Sequence, residues 1–160
     1  MRSMEPAIAN PDRARLRRAA KGDIGPLQQL ENRSFSYDRL SRRAIAHAVG
    51  AGTQTVLILE HSRGPLLGAA FLHYRARSQC CRLYSIAICS SAAGQGLGSQ
   101  LLAACERDAR ARGCKAMRLE VRTDNFVAMR LYERRGYQKT RLKPGYYEDG
   151  AAAFSYAKWI

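Results

Sequence analysis

Three glycines alternate through Gly94-Gln95-Gly96-Leu97-Gly98-Ser99. Glycine lets the main chain approach a ligand closely, and a loop that opens a helix turns unpaired N–H groups toward an anion. Phosphate or pyrophosphate suits that chemistry, although a tight strand-to-helix turn needs the same residues. Further on, Glu120 sits inside Ala116-Met-Arg-Leu-Glu-Val-Arg122. Strand alternation puts Met117, Leu119 and Val121 on one face and Arg118, Glu120 and Arg122 on the other. An acid on the polar face of a strand just past an anion loop is a candidate proton acceptor. The plain alternative is a surface ion pair with Arg118 and Arg122.

Two phosphate-binding arrangements fail on the residues. Ser99 stands where a dinucleotide fingerprint counted from Gly94 requires its last glycine, and no Gly-Lys-Ser/Thr run supplies a P-loop. Cys89 precedes the loop and has no histidine placed in sequence to activate it, so a thiol packed as a small apolar group is expected there.

These residues need elements to hold them. Residues 1–12, with Pro6 and Pro11, read as an arm, and 13–160 as one domain. Arg15–Ala19 reads as an edge strand. Asp23 and Ser41 are N-cap candidates for two helices, the second stopped at Gly50. Thr55–Glu60 and Leu66–Tyr74 form a hairpin about a Gly64-Pro65 turn. Arg82–Cys89 is a strand, Ser99–Arg112 a helix, Ala116–Arg122 a strand and Asn125–Arg135 a short helix ended by Gly136. Tyr137–Leu142 and Phe154–Ile160 are the last strands. The class is mixed α/β.

Charge is the unusual part of the composition: 27 Lys+Arg against 13 Asp+Glu, net +14. Such a balance raises nucleic acid, the ribosome or a polyphosphate ligand as partners. The bases are spread along the chain and no nucleic-acid motif accompanies them, so nucleic acid is not expected as a direct ligand. Five cysteines, an odd number without a CxxC pair, and three histidines out of finger spacing exclude a disulfide framework and a zinc site. No apolar run is long enough for a membrane span and no leader is evident, so a reducing cytoplasm is expected.

Taken together, four stretches resemble the GNAT superfamily of acetyl-CoA-dependent N-acetyltransferases: Tyr84-Ser-Ile-Ala-Ile-Cys89, Gly94-Gln-Gly-Leu-Gly-Ser-Gln-Leu-Leu102, Leu119-Glu-Val-Arg-Thr-Asp-Asn125 and Ala128-Met-Arg-Leu-Tyr-Glu-Arg-Arg-Gly-Tyr137. The likeness is strong over about residues 82–147 and looser over 14–75. It is most similar to the ribosomal-protein-alanine N-acetyltransferase branch, through Leu119–Arg122, Asn125, Leu131-Tyr-Glu133 and the Tyr146-Tyr147 pair. The resemblance implies a single mixed, mostly antiparallel twisted sheet flanked by helices.

It also implies roles. The main chain of Ile86, Ala87 and Ile88 would pair with the pantetheine arm of acetyl-CoA. The N–H groups of Gly94, Gln95, Gly96, Leu97, Gly98 and Ser99 would hold the pyrophosphate, with Asn125 near the thioester. Glu120 corresponds to the general base and Tyr132 to the acid that protonates the departing thiolate. Tyr146 and Tyr147 would wall the acceptor pocket, with Phe35 and Tyr37, between the first two helices, weaker candidates for the same wall. No metal is implied. Two departures stand out: Ala93 replaces a usual Gln or Arg, and Ala151-Ala152-Ala153 follow Gly150 where relatives often carry an acid. The expected acceptor is a protein N-terminal α-amine, such as that of a ribosomal protein. A small-molecule amine, or a non-catalytic CoA- or RNA-binding role, is the alternative.

Overall fold

Runs of Leu, Ile, Val and Ala that can lose water on both faces belong at the centre of a sheet. The computed structural model describes residues 14–62 and 64–160, so the expected arm 1–12 lies outside the described residues. The elements are β1 (Ala14–Arg18), α1 (Ile24–Ser34), α2 (Arg42–Gly50), β2 (Gln54–His61), β3 (Leu66–His73), β4 (Cys80–Ile88), α3 (Leu97–Ala111), β5 (Ala116–Arg122), α4 (Phe126–Arg134), β6 (Gln138–Lys143) and β7 (Ala153–Trp159). The strands form one sheet in the order β1-β2-β3-β4-β5-β7-β6. Every pairing is antiparallel except β4 with β5. The expected mixed, mostly antiparallel sheet flanked by helices is the fold observed.

Two apolar layers hold it. On one face α3 buries Leu101, Leu102 and Cys105 against Leu57, Leu59, Leu83, Met117 and Leu119. On the other, Leu27 and Leu30 of α1 and Ile45 and Ala48 of α2 cover Val56, Ile58, Ala69 and Phe71. Ser41 caps α2 as expected, its Oγ accepting the Ala44 N–H at 3.1 Å. Asp23 precedes α1 but makes no cap bond to that helix. Its carboxylate instead accepts from Ala20 N–H and from the Arg17 guanidinium, which holds it below the usual carboxylate range.

Helix α3 starts at Leu97, two residues earlier than the sequence suggests. Gly98 therefore lies in its first turn, close enough to α4 that a Cβ there would stand 3.3 Å from Leu131 Cδ2. Of the cysteines, Cys81, Cys105 and Cys114 are buried as expected, whereas Cys80 and Cys89 are only half-buried. Both lie in β4 or just after it, at the ends where helix cover thins.

Strands β4 and β5 pair only through Cys80–Arg82 against Ala116–Arg118, though β4 runs on to Ile88 and β5 to Arg122. Beyond that joint the centre of the sheet is open. Register against β3 also shifts within β4: Leu72 faces Leu83 and Phe71 faces Ser85, leaving Tyr84 as the extra residue of a bulge. A bulge bends its strand and increases local twist. Gly68 lets β3 fit against this bent strand, because a Cβ would lie 2.6 Å from Ile88 Cδ1 and 2.9 Å from the Ala87 carbonyl oxygen. We expect Gly68→Ala to destabilise the fold by about 1–3 kcal/mol, the usual cost of overpacking a rigid site. Urea unfolding measures it, and a midpoint equal to wild type would show that β4 yields freely.

Candidate active site

The opening between β4 and β5 is the floor of a cleft of ≈ 1940 Å³. It is lined from four directions: by β4, by the glycine loop and the start of α3, by α4, and by the loops after α1 and β6. The sequence-predicted residues Ile86, Ala87, Ile88, Gly94, Gly96, Leu97, Gly98 and Ser99 all line it, as do Glu120, Asn125, Tyr132, Tyr37, Tyr146 and Tyr147.

Gly94 and Gly96 have φ of 76° and 75°, a left-handed conformation that side-chain-bearing residues rarely adopt. Nothing crowds either position, so conformation and not space is what calls for glycine there. Gly96 is the N-cap of α3, with no side chain capping the helix. The first bond back to the cap is Gln100 N–H to Gly96 O at 3.1 Å, which leaves the N–H groups of Leu97, Gly98 and Ser99 without helical acceptors. That cradle fits a pyrophosphate. Gln95 departs from the expectation: it does not line the cleft, and its Oε1 is buried without a hydrogen-bond partner. Only its main chain remains available to a ligand.

The open edge of β4 presents alternate peptides. Cys89 N–H donates to Leu67 O at 2.7 Å, toward β3. Main-chain groups alternate along a strand, so those of Ala87 also turn to β3, while those of Ile86 and Ile88 turn to the gap. The expectation for Ala87 is corrected accordingly: its peptide is committed to the sheet. Asn125 caps α4, its Oδ1 accepting the Ala128 N–H at 3.2 Å. Its amide NH₂ is the part left for a ligand.

Glu120 lies on the polar face of β5 as alternation requires, with its side chain only 6% exposed. Its partners are not Arg118 and Arg122. Lys143 Nζ on β6 donates to Oε1 at 2.9 Å, and Arg82 Nη2 on β4 approaches Oε2 at 3.1 Å. These partners come from β4, the neighbouring strand, and from β6, two strands away across β7, whose long side chains reach over the sheet to the carboxylate. The Arg82 approach lacks hydrogen-bond geometry, and Oε2 is buried with no hydrogen bond. One oxygen of the carboxylate is thus hydrogen-bonded to Lys143, and the other is ion-paired with Arg82 without a hydrogen bond.

Tyr132 projects from α4 and is 4% exposed. Its ring packs edge-on to Tyr137 at 5.9 Å and tilted to Tyr156 at 6.1 Å. Among the described residues its hydroxyl forms no hydrogen bond, unlike those of Tyr137 and Tyr156, which donate to Glu106 and Glu133. Burial pushes the Tyr132 phenol well above its ordinary value, with Cys105 and Tyr147 adding to the shift.

The roof of the cleft is built by charge and aromatic contact between distant loops. Arg122 is clamped by Asp149 at 2.7 and 3.1 Å, and its guanidinium faces the rings of Tyr37 at 5.6 Å and Tyr147 at 5.1 Å. Arg82 Nη2 donates to the Tyr146 hydroxyl at 2.6 Å, and Lys143 lies 5.3 Å from the centre of that ring. The loop after α1 is held by Glu31, buried and accepting the Leu40 N–H at 3.0 Å. Burial pushes the Tyr147 phenol up to about 12. Sequence reasoning missed Arg82, Lys143 and Asp149. No motif marked Arg82 or Lys143, which only the sheet brings to Glu120, and Asp149 reaches Arg122 from the loop between β6 and β7.

Cys89 Sγ contacts Ser91 Oγ at 3.1 Å. No group of three or more metal-ligating side chains is found among the described residues. No helix among them is long and apolar enough to cross a membrane.

A sequence model of the Acetyltransferase (GNAT) family matches residues 25–137. An uncharacterized N-acetyltransferase of Methanocaldococcus jannaschii is 39% identical over 72 residues, 44% of this chain and 46% of the relative, so less than half of that protein is matched. Among solved structures, the ribosomal-protein-S18-alanine N-acetyltransferase from Escherichia coli superposes with a TM-score of 0.82 at 24% identity, covering 92% of this chain and 94% of that one. NAA60 of Arabidopsis thaliana, solved in complex with acetyl-CoA, superposes with a TM-score of 0.79 at 16% identity, covering 92% and 98%. At these identities the two structures speak for the fold.

Proposed function

The chain belongs to the Acetyltransferase (GNAT) family, and from that premise we propose that it transfers an acetyl group from acetyl-CoA to the α-amine at a protein N-terminus. The observation that carries this reading is the pairing, in one cleft, of a carboxylate with one unbonded oxygen, Glu120 Oε2, and a phenol with an unbonded hydroxyl, Tyr132. Bound there, acetyl-CoA supplies the thioester: the amine nitrogen bonds to the acetyl carbon as the carbon–sulfur bond breaks. The proton lost by the nitrogen passes to Glu120 Oε2, directly or through a water. The proton on the Tyr132 hydroxyl goes to the departing sulfur; the products leave neutral, and solvent then returns a proton to the Tyr132 phenolate and takes one from Glu120.

The N–H groups of Leu97, Gly98 and Ser99 would take the pyrophosphate, and the peptides of Ile86 and Ile88 the pantetheine amides. Asn125 would offer its NH₂ to the same arm. Tyr37, Tyr146 and Tyr147 would enclose the acceptor. An α-amine has a pKa near ~8 against ~10.4 for lysine, so it gives up its proton more readily near neutral pH. The ribosomal-protein-S18-alanine enzyme among the structural neighbours supports a protein acceptor, and a ribosomal N-terminus is the first to try.

The test is acetyl-CoA turnover on a panel of N-terminal peptides beside polyamines and aminoglycosides. Turnover concentrated on peptides is expected. Turnover of small amines with none on any peptide would move the acceptor to the small-molecule class. Tight CoA binding without turnover of anything would make the protein a binding module.

A further inference from the structure

On the half of the sheet formed by β5, β7 and β6, the face that carries Glu120 has no helix over it among the described residues. Helices α1 and α2 pack on β2 and β3, and α3 lies on the opposite side against Met117 and Leu119. Register aligns the side chains on this open face in rows: Glu120 with Ser155 and Arg141, and Arg122 with Ala153 and Lys143. Arg82 pairs in register with Arg118. Beside the acceptor cleft there is a small second pocket of ≈ 210 Å³, lined by Arg118, Thr140, Arg141, Lys143 and Ser155. Glu120 lines both, so the pocket and the cleft share a wall.

The charges on this face do not cancel. Arg82 and Lys143 face Glu120, and Arg122 is held by Asp149 and Asp124. Arg118 and Arg141 are exposed and, among the described residues, form no ion pair. The Ser155 hydroxyl at the bottom of the row is buried with no hydrogen bond. Thr140 does not fill this gap, since its own hydroxyl donates to the Ser155 carbonyl at 3.2 Å. Two arginines without ion pairs, an anchored ammonium and a free hydroxyl line one small space, whose one acid, Glu120, is already paired with Lys143 and Arg82. That donor set matches a carboxylate.

We propose that this pocket is a subsite for an acidic side chain, Asp or Glu, close behind the amine that is acetylated. The inference rests on the protein-acceptor reading above and narrows it to acceptors with an acidic start. The reach is adequate. Adjacent strands stand ~4.8 Å apart, so Arg141 lies two strand spacings, about 10 Å, across the sheet from Glu120. Each extended acceptor residue advances ~3.3–3.6 Å, which brings the side chain of the second to fourth residue to the pocket. The chain's charge, net +14 overall, would act here as a local selector and not as a general attraction.

The test uses matched peptides with Glu or Gln at positions two to four, with kcat/KM measured at low and high salt. We expect the Glu peptides to be preferred about tenfold, mainly through KM, the worth of one charge-assisted contact. The preference should fall toward unity near ~0.5 M salt, where exposed charges are screened. The double variant Arg118→Gln, Arg141→Gln should lose the preference while turning over the Gln peptides as wild type does. Equal use of both peptides by the wild-type protein, or a preference that survives the double substitution, would overturn the subsite and leave the protein-acceptor reading standing. Turnover of small amines with neither peptide accepted would overturn both. Because the salt series is run on the unaltered protein, a variant that folds poorly cannot mask the result.

Discussion

Glu120→Gln is expected to lower kcat/KM for a peptide amine about 100-fold at neutral pH, the lower end of what a positioned base contributes. The low end applies because a free α-amine, with a pKa near ~8, is already neutral in about one molecule in ten at pH 7. The loss should therefore shrink as the pH rises past 8, where solvent removes the proton that Glu120 would otherwise take. Wild type and variant should converge at the alkaline end of the profile. The substitution also takes the charge from between Arg82 and Lys143, which sit 3.1 and 2.9 Å from the carboxylate. Removing one partner of a half-buried ion group costs stability, so unfolding is followed alongside the kinetics. A pH-independent deficit would mean that Glu120 positions the acceptor and does not move its proton. Full activity would remove it from the reaction altogether.

Tyr132→Phe should be cleaner. The ring keeps its contacts with Tyr137 and Tyr156, and no hydrogen bond among the described residues is lost. Stability and the KM for acetyl-CoA should hold, while kcat drops about 10- to 100-fold. What is removed is a proton for a thiolate whose conjugate acid has a pKa near ~8.5. An acetyl donor with a more acidic thiol needs that proton less, so it should restore much of the rate to the variant. A deficit unchanged across donors would show that Tyr132 shapes the cleft and does not donate. Because burial raises the phenol's pKa, the hydroxyl stays protonated throughout the working range. No alkaline fall in the wild-type rate below pH ~10 should come from Tyr132.

Parts of this site are legible in the sequence alone. The alternation of Met117, Leu119 and Val121 puts Glu120 on the polar face, and the spacing of small residues from Gly94 marks a strand-to-helix anion loop. Both rest on local periodicity, which one stretch of chain carries by itself. The opening of the sheet is not legible there. It depends on β4 and β5 parting after three paired residues and on a bulge at Tyr84, and both are properties of pairing between strands. The same gap misassigns the neighbours of Glu120: Arg118 and Arg122 are near in sequence, but Arg82 and Lys143 are near in space. It also gives Ala87 a role that its peptide, turned to β3, does not fill.

Charge shows the limit from the other side. The surplus of arginine suggests a broad basic surface. Some of it is held in specific contacts, such as Arg17 between Asp23 and Glu60, and Arg135 with Lys158 around the buried Glu106. What the total conceals is where the unpaired bases stand, Arg118 and Arg141 beside Glu120 among them.

The parting of β4 from β5 gives the sheet two borders in its interior, in addition to those at β1 and β6. A strand border is a hazard in most proteins, because it invites any extended chain to continue the sheet. Here the exposed peptides of Ile86 and Ile88 lie at the floor of a cleft, walled by α4 and the start of α3. A full strand with its own neighbours is too wide to reach them, whereas a single slender arm is not. The same recess that makes the hydrogen-bonding groups useful also shields them from the edge of a second sheet.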